Sequence, residues 1–120
     1  MDSYKDLRIW QLAVDLAVDC YKITSSFPRE EMFGLSAQIR RASGSIAANI
    51  AEGHGRESSG SFVQFLRIAQ GSLKELETHL LIGHRVGLIE RFDFETLELR
   101  CIEIGKMVRA LIRSLQGNKR

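Results

Sequence analysis

Between Gln38 and Gly53 the chain reads Gln-Ile-Arg-Arg-Ala-Ser-Gly-Ser-Ile-Ala-Ala-Asn-Ile-Ala-Glu-Gly, and no other stretch restricts the possible folds as much. Extended back to Leu35 and wound at about 100° per residue, it separates into three faces. Leu35, Ile39, Ala42, Ile46 and Ile50 form an apolar stripe. Gln38, Arg41, Ser45, Asn49 and Glu52 form a polar stripe beside it, and Ala37, Gly44, Ala47, Ala48 and Ala51 leave the remaining side small. A lone solvated helix carries long charged residues on such a third side, so the small surface implies close approach by another backbone. A helix buried on two sides points to assembly rather than to a pocket.

The single proline, Pro28, leaves the rest of the chain open to long helices. Helical periodicity predicts four segments, at about 6–25, 30–53, 59–86 and 93–116. The first carries Trp10, Ala13, Val14, Ala17, Tyr21 and Thr24 on one face and Ile9, Leu12, Leu16 and Ile23 on the next. That arc is wider than one bundle core needs, so this helix is central or has a second partner. The second segment follows Pro28, starts near Arg29 or Glu30, and stops at Gly53-His-Gly55, where glycine can turn left-handed. Ser58 or Ser59 caps the third, whose stripe is Phe62, Phe65, Leu66, Ala69, Leu73, Leu76 and Leu80, and Gly87 follows its end. Asp93 is a plausible N-cap for the fourth, with Phe94, Leu97, Cys101, Ile104, Val108, Leu111 and Leu115 in 3-4 alternation. Short connections between long helices give an all-α, up-down-up-down antiparallel four-helix bundle. Residues 1–120 read as one domain, with Asn118-Lys-Arg120 as a frayed basic tail.

The hydrophobic fraction of 44% and charged fraction of 27% are those of an ordinary globular chain. No run reaches the ~18 apolar residues of a membrane span, and the first residues lack the apolar core of a signal peptide. The expectation is a cytoplasmic, bacterial-type protein without a membrane partner. Cys20 and Cys101 fall on or beside apolar stripes and read as small buried hydrophobes rather than a disulfide.

Catalytic patterns are thin. His79 and His84 are five apart, on different helical faces, and neither they nor His54 belong to a Glu-x-x-His pair. No metal site and no cofactor is implied. Apolar surroundings raise a thiol pKa, which argues against either cysteine as a nucleophile. Gly53-His-Gly55-Arg56 follows a helix instead of a strand, unlike a phosphate loop. Asn49, Glu52 and Glu75 could be a catalytic set, but nothing supplies a partner base or metal. A structural polar network of Gln38, Arg41, Asn49, Glu52 and Glu75, within or between subunits, accounts for them more simply. The expectation is a non-enzyme.

The net charge is only +2, yet Arg heavily outnumbers Lys. Arginine suits both phosphate contacts and subunit interfaces. Arg67, Lys74 and Arg85 recur on one face of the third segment; Arg40, Arg41 and Arg56 come from the second segment and its following loop, and Lys106, Arg109 and Arg113 from the fourth. A phosphate-binding surface needs several such charges converging. The same pattern with acidic neighbours such as Glu77 and Glu103 could be a solvated face.

Phe27-Pro-Arg-Glu-Glu-Met-Phe-Gly-Leu35, Gln38-Ile-Arg-Arg41, Ser45-Ile-Ala-Ala-Asn-Ile-Ala-Glu-Gly53, Phe65-Leu66, Ala69 and Gly71-Ser-Leu-Lys-Glu-Leu-Glu-Thr78, with Asp6-Leu-Arg-Ile-Trp-Gln11 before them, resemble the bacterial 23S rRNA intervening-sequence proteins. The resemblance extends over nearly the whole chain, and Trp10 stands where the family pattern expects it. That family is one of small four-helix bundles, often encoded within insertions in large-subunit rRNA genes. It is similar in turn to the accessory variability determinant of diversity-generating retroelements, a pentameric barrel that binds a reverse transcriptase and nucleic acid. The resemblance implies a non-enzymatic homo-oligomer, a pentamer, with an RNA-related role. The expected nucleic-acid-binding residues are Arg40, Arg41, Arg56, Arg67, Lys74 and Arg85. The expected oligomer interface is Ile9, Leu12, Leu16, Ile23, Gly44, Ala47 and Ala51. The alternative is a protein-interaction scaffold or adaptor, for example for a reverse transcriptase, in which the same arginines make salt bridges.

Overall fold

The periodic segments fold as α1 (Arg8–Thr24), α2 (Leu35–His54), α3 (Ser59–Arg85) and α4 (Arg91–Gly117) in the computed structural model of the chain, which describes residues 3–117. The expected tail at Asn118–Arg120 lies outside the described residues. Each helix packs on the next in chain order, and α4 returns to α1; neither diagonal pair comes into contact. This is the expected up-down-up-down four-helix bundle. It is a rod of 50 Å by 20 Å by 20 Å, of which α3 and α4 each span about 40 Å.

Helix starts depart from the periodic reading where a side chain or glycine intervenes. Ser3 accepts from the Lys5 N–H at 3.1 Å and caps a short 3-10 turn, Tyr4–Asp6. Leu7 is then extended, so α1 begins at Arg8 rather than near Asp6. The residues expected to open α2 instead form a separate 3-10 turn, Arg29–Glu31. Gly34, at φ −103° and ψ −113°, breaks the path, and α2 starts at Leu35. The Glu31 carboxylate accepts from the Leu35 N–H at 3.2 Å, satisfying one of the free donors of that first turn. Ser58 caps α3 as expected, accepting from the Ser61 N–H at 3.1 Å. Asp93 is not an N-cap: α4 begins at Arg91, which leaves Asp93 in the first turn, where a carboxylate complements the helix dipole.

Two glycine stretches end helices by different means. After α3, Gly87 takes φ 87°, and the Leu88 N–H reaches the Gly83 carbonyl at 2.9 Å, reversing the chain. After α2, Gly55 stays right-handed at φ −77°, contrary to the left-handed stop expected there. Gly53 lies inside α2 and serves packing: a Cβ there would sit 2.7 Å from Phe65 Cβ and 2.9 Å from Phe62 Cδ1. Gly83 is its counterpart at the other end, where a Cβ would sit 2.8 Å from Ile89 Cδ1. The approach at Gly53 belongs to α2 and α3, the most extensive helix pair of the bundle, whereas that at Gly83 seats the connection between α3 and α4.

The core holds Ile39, Ala42, Ile46 and Ile50 of α2, Leu66, Ala69, Leu73, Leu76 and Leu80 of α3, and Phe94, Leu97, Cys101, Ile104 and Val108 of α4, as the stripes predict. Val63 and Ile112 are also buried, while Phe62, Leu111 and Leu115 are only half-buried. A helix of 3.6 residues per turn drifts away from a 3.5-residue stripe, so over a long helix the inward line changes residues.

The oligomer interface read from α1 is corrected here. Ile9 and Leu16 point into the chain's own core, Leu16 with no exposed surface, and Leu12 and Ile23 pack along its edge. The apolar face that α1 turns outward is Val14, Ala17, Val18 and Tyr21, with Val18 46% and Tyr21 51% exposed. On α2 Gly44 is exposed, Ala51 is half-buried, and Ala47 is 8% exposed at the floor of the α1–α2 groove. The α1–α4 contact is the thinnest side of the bundle, and an Asp19–Arg100 ion pair crosses it.

Candidate nucleic-acid interface

Exposed positions spaced seven or eleven apart return to one line of a helix, which sets Arg67, Lys74 and Arg85 along the outer side of α3. The other expected cations do not join them. Arg40 turns towards α1, where its Nε donates to Thr24 Oγ1 at 2.8 Å and its guanidinium lies 4.8 Å from the Tyr21 ring centre. Arg56 pairs with Glu52 at 2.8 Å and lies over the Phe65 ring at 4.8 Å. Arg41 stands exposed on α2. The six expected residues are therefore spread over three parts of the surface, and the set on α3 is the one with a continuous geometry.

Across from that set runs α4. The Leu73 side chain lies 4.0 Å from where a Cβ on Gly105 would be, and the His84 and Phe94 rings stack at 4.9 Å. These two contacts fix the antiparallel register, so moving from Leu73 towards the start of α3 is moving from Gly105 towards the end of α4. His84 Nδ1 lies 2.9 Å from the Ile89 carbonyl oxygen, which can only accept; the proton is therefore on Nδ1 and the ring is fixed as a structural part. Between the helices lies a groove of about 350 Å³ lined by Gln70, Gly71, Leu73, Lys74, Glu77, Cys101, Ile102, Gly105 and Arg109. Lys74 makes only a long, exposed contact to Glu77, at 3.5 Å. Such pairs are weak and leave the ammonium free to exchange partners.

The expected polar network is not assembled within one chain. Glu52 is held by Arg56, and Glu75 is exposed with His79 at 3.9 Å. The Gln38 side chain makes no hydrogen bond among the described residues. The polar link between α2 and α3 is smaller: Asn49 Nδ2 donates to Ser45 Oγ at 3.0 Å, and Ser45 Oγ meets Ser72 Oγ at 2.9 Å. Ser72 was missed because a serine in a helical stripe carries no signal of its own.

Cys20 and Cys101 are both fully buried free thiols. Burial pushes each up to about 12, which keeps them protonated and unreactive near neutral pH. Among the described residues no group of three or more His, Cys, Asp or Glu side chains is placed to hold a metal ion, and no helix is long and apolar enough to cross a membrane.

Comparison with known proteins adds two findings. A family model described as 23S rRNA-intervening sequence protein matches residues 5–110. A solved structure of a protein of unknown function from the S23 ribosomal protein family of Bacteroides thetaiotaomicron is similar, with 29% identity and a TM-score of 0.78 over 87% of this chain and 97% of that one. No curated protein matches the chain.

Proposed function

This chain belongs to the 23S rRNA-intervening sequence protein family, and on that premise we propose a non-catalytic, homo-oligomeric bundle that associates with RNA through its arginine-rich face. The observation that carries the reading is the row of Arg67, Lys74 and Arg85 along the outside of α3, exposed and five helical turns long. A row of cations on a rigid rod can contact phosphates at intervals along a nucleic-acid backbone and supports affinity with little sequence preference. Assembly is assigned to the α1–α2 side, where Val18 and Tyr21 rim a groove of about 400 Å³ floored by Ala47. By family resemblance the assembly is a pentamer. A ring would multiply a modest patch on each subunit by avidity.

Filter binding of structured rRNA fragments at two salt concentrations tests the RNA reading. Binding that weakens steeply with salt supports it; no binding at either salt refutes it. Light scattering behind size exclusion tests assembly, and a monomer at micromolar concentration removes that part. The exposed apolar residues of α1 also favour a second reading, a scaffold that docks a protein partner. That reading requires the chain to ignore RNA and to lose its partner or its oligomer when Val18 or Tyr21 is replaced.

A further inference from the structure

Charge is unevenly shared along the α3–α4 pair. From Ser59 to Ser72 of α3 and from Lys106 to Gly117 of α4 there is no Asp or Glu, while Arg67, Lys106, Arg109 and Arg113 all fall there. The remaining parts of the two helices, residues 73–85 and 91–104, carry six carboxylates against four cations. One end of this helix pair is therefore purely cationic and the other is net acidic. On the adjoining end of α2 Glu52 is held by Arg56, and the connection into α3 adds one exposed carboxylate, Glu57. The α4 dipole does not account for the arrangement, because its influence is confined to the last turn and that turn holds no basic residue.

The same region has missing side chains that the fold does not require. A Cβ on Gly71 would meet nothing within 4 Å, and one on Gly105 only Arg109 at 3.5 Å and Leu73 at 4.0 Å. Glycine inside a helix is about 1 kcal/mol less favourable than alanine. At Gly53 and Gly83 a close approach within the chain explains it; at Gly71 and Gly105 none does. What their absence leaves is the groove, with Lys74 and Arg109 on its walls and one carboxylate, Glu77, at its acidic end. At 1.5 Å per residue, Arg67 lies about 9 Å beyond Leu73 and Arg113 about 12 Å beyond Gly105, both towards the cationic end.

We infer that a single strand of RNA runs along the α3–α4 groove towards the start of α3, its phosphates held by Lys74, Arg109, Arg67 and Arg113, with the gap at Gly71 and Gly105 admitting the sugar-phosphate chain. This rests on the proposed RNA association and gives it a site. No aromatic side chain lines the groove, so bases are not stacked there and sequence preference is weak. Neighbouring helices are only 8–10 Å apart, which suits a strand rather than a duplex.

Four phosphate contacts to a single strand give a log–log salt slope of about −2.8, or about 50-fold weaker binding between 50 and 200 mM salt. The probe is an oligouridylate of about ten nucleotides, in the range of known single-strand sites. Arg67→Gln with Arg109→Gln should bring the slope to about −1.4, a loss of about sevenfold over the same salt range. Lys22→Gln with Arg29→Gln, the same change in charge at the opposite end of the bundle, should leave the slope unaltered. Gly71→Met fills the groove without changing charge and should weaken binding at least tenfold with no drop in melting temperature. The inference is overturned if the Arg67/Arg109 variant keeps the parent slope, if Gly71→Met binds as well as the parent, or if structured rRNA fragments bind and the oligouridylate does not. In those cases RNA association itself survives; if neither RNA binds the parent, both ideas fail together.

Discussion

Gly53→Ala and Gly71→Ala add the same methyl group to two exposed-looking points of the sequence, and the structure assigns them opposite signs. Each gains about 1 kcal/mol of helix propensity. At Gly71 nothing lies within 4 Å of the new Cβ, so the whole gain is kept. At Gly53 the Cβ would lie 2.7 Å from Phe65 Cβ and 3.3 Å from the Phe62 carbonyl oxygen. Both atoms are fixed to the α3 backbone, so relief requires the two helices to move apart. Overpacking of that kind costs about 1–3 kcal/mol, occasionally more. The loss of close packing along the largest helix pair pushes Gly53→Ala to the upper end, a net destabilisation of about 1–2 kcal/mol after the propensity gain. For a chain of this length 1 kcal/mol moves the melting midpoint by about 4 °C. Calorimetry should therefore show Gly71→Ala melting about 4 °C above the parent and Gly53→Ala about 4–8 °C below it. Urea unfolding should give the same order with unchanged slopes. A Gly53→Ala protein that melts at or above the parent would refute the close α2–α3 approach.

Leu16→Glu should unfold the chain, because Leu16 is fully buried and an isolated carboxylate there has no partner; Val18→Glu should keep its helical circular dichroism while reducing the mass seen by light scattering. The two thiols should make the fold alkali-sensitive. Their ordinary value is 9.0 and burial raises each to about 12, so between those limits the unfolded chain has released protons that the native chain still holds. Stability then falls as pH rises above 9, by about 2.7 kcal/mol per pH unit for the pair, and Cys20→Ala with Cys101→Ala should flatten the decline. A variant whose stability falls as steeply as the parent's over that range would count against the burial argument.

Helix number, order and most of the core were legible because apolar spacing is set by the same burial that holds the bundle. What periodicity could not place was the direction of a wide apolar arc. On α1 it offered two adjacent faces, and Ile9 and Leu16 were assigned outward when packing turned them inward and left Val18 and Tyr21 outside. The start of α2 was hidden by Glu31, a good helix residue whose carboxylate instead serves as a cap from the preceding turn. The cationic residues were all visible, but their grouping was not: Arg40 is occupied by Tyr21 and Thr24 and Arg56 lies over Phe65, partners on other helices that no spacing rule links to them, while the Glu52–Arg56 pair, four residues apart, was open to reading. Arg109 and Arg113 join Arg67 only once the α3–α4 register is known. The network expected around Asn49 shrank to Ser45 and Ser72 because Glu52 and Glu75 each face a residue four positions further along the chain, Arg56 and His79.

The thin α1–α4 side has a consequence for how the molecule comes together and apart. Three of the four helix contacts join segments adjacent in the chain, and they can form by local search. The α1–α4 side is the fourth, joining the first helix to the last and closing the ring through Asp19 and Arg100. It closes the longest loop for the least contact, so it is the last side gained and the first lost. Opening there parts α1 from α4 while α1 stays on α2 and α4 stays on α3. Amides of α1 and α4 should exchange with deuterium through that partial opening, ahead of those in α2 and α3. The seam between the first helix and the last is thus the latch of the bundle.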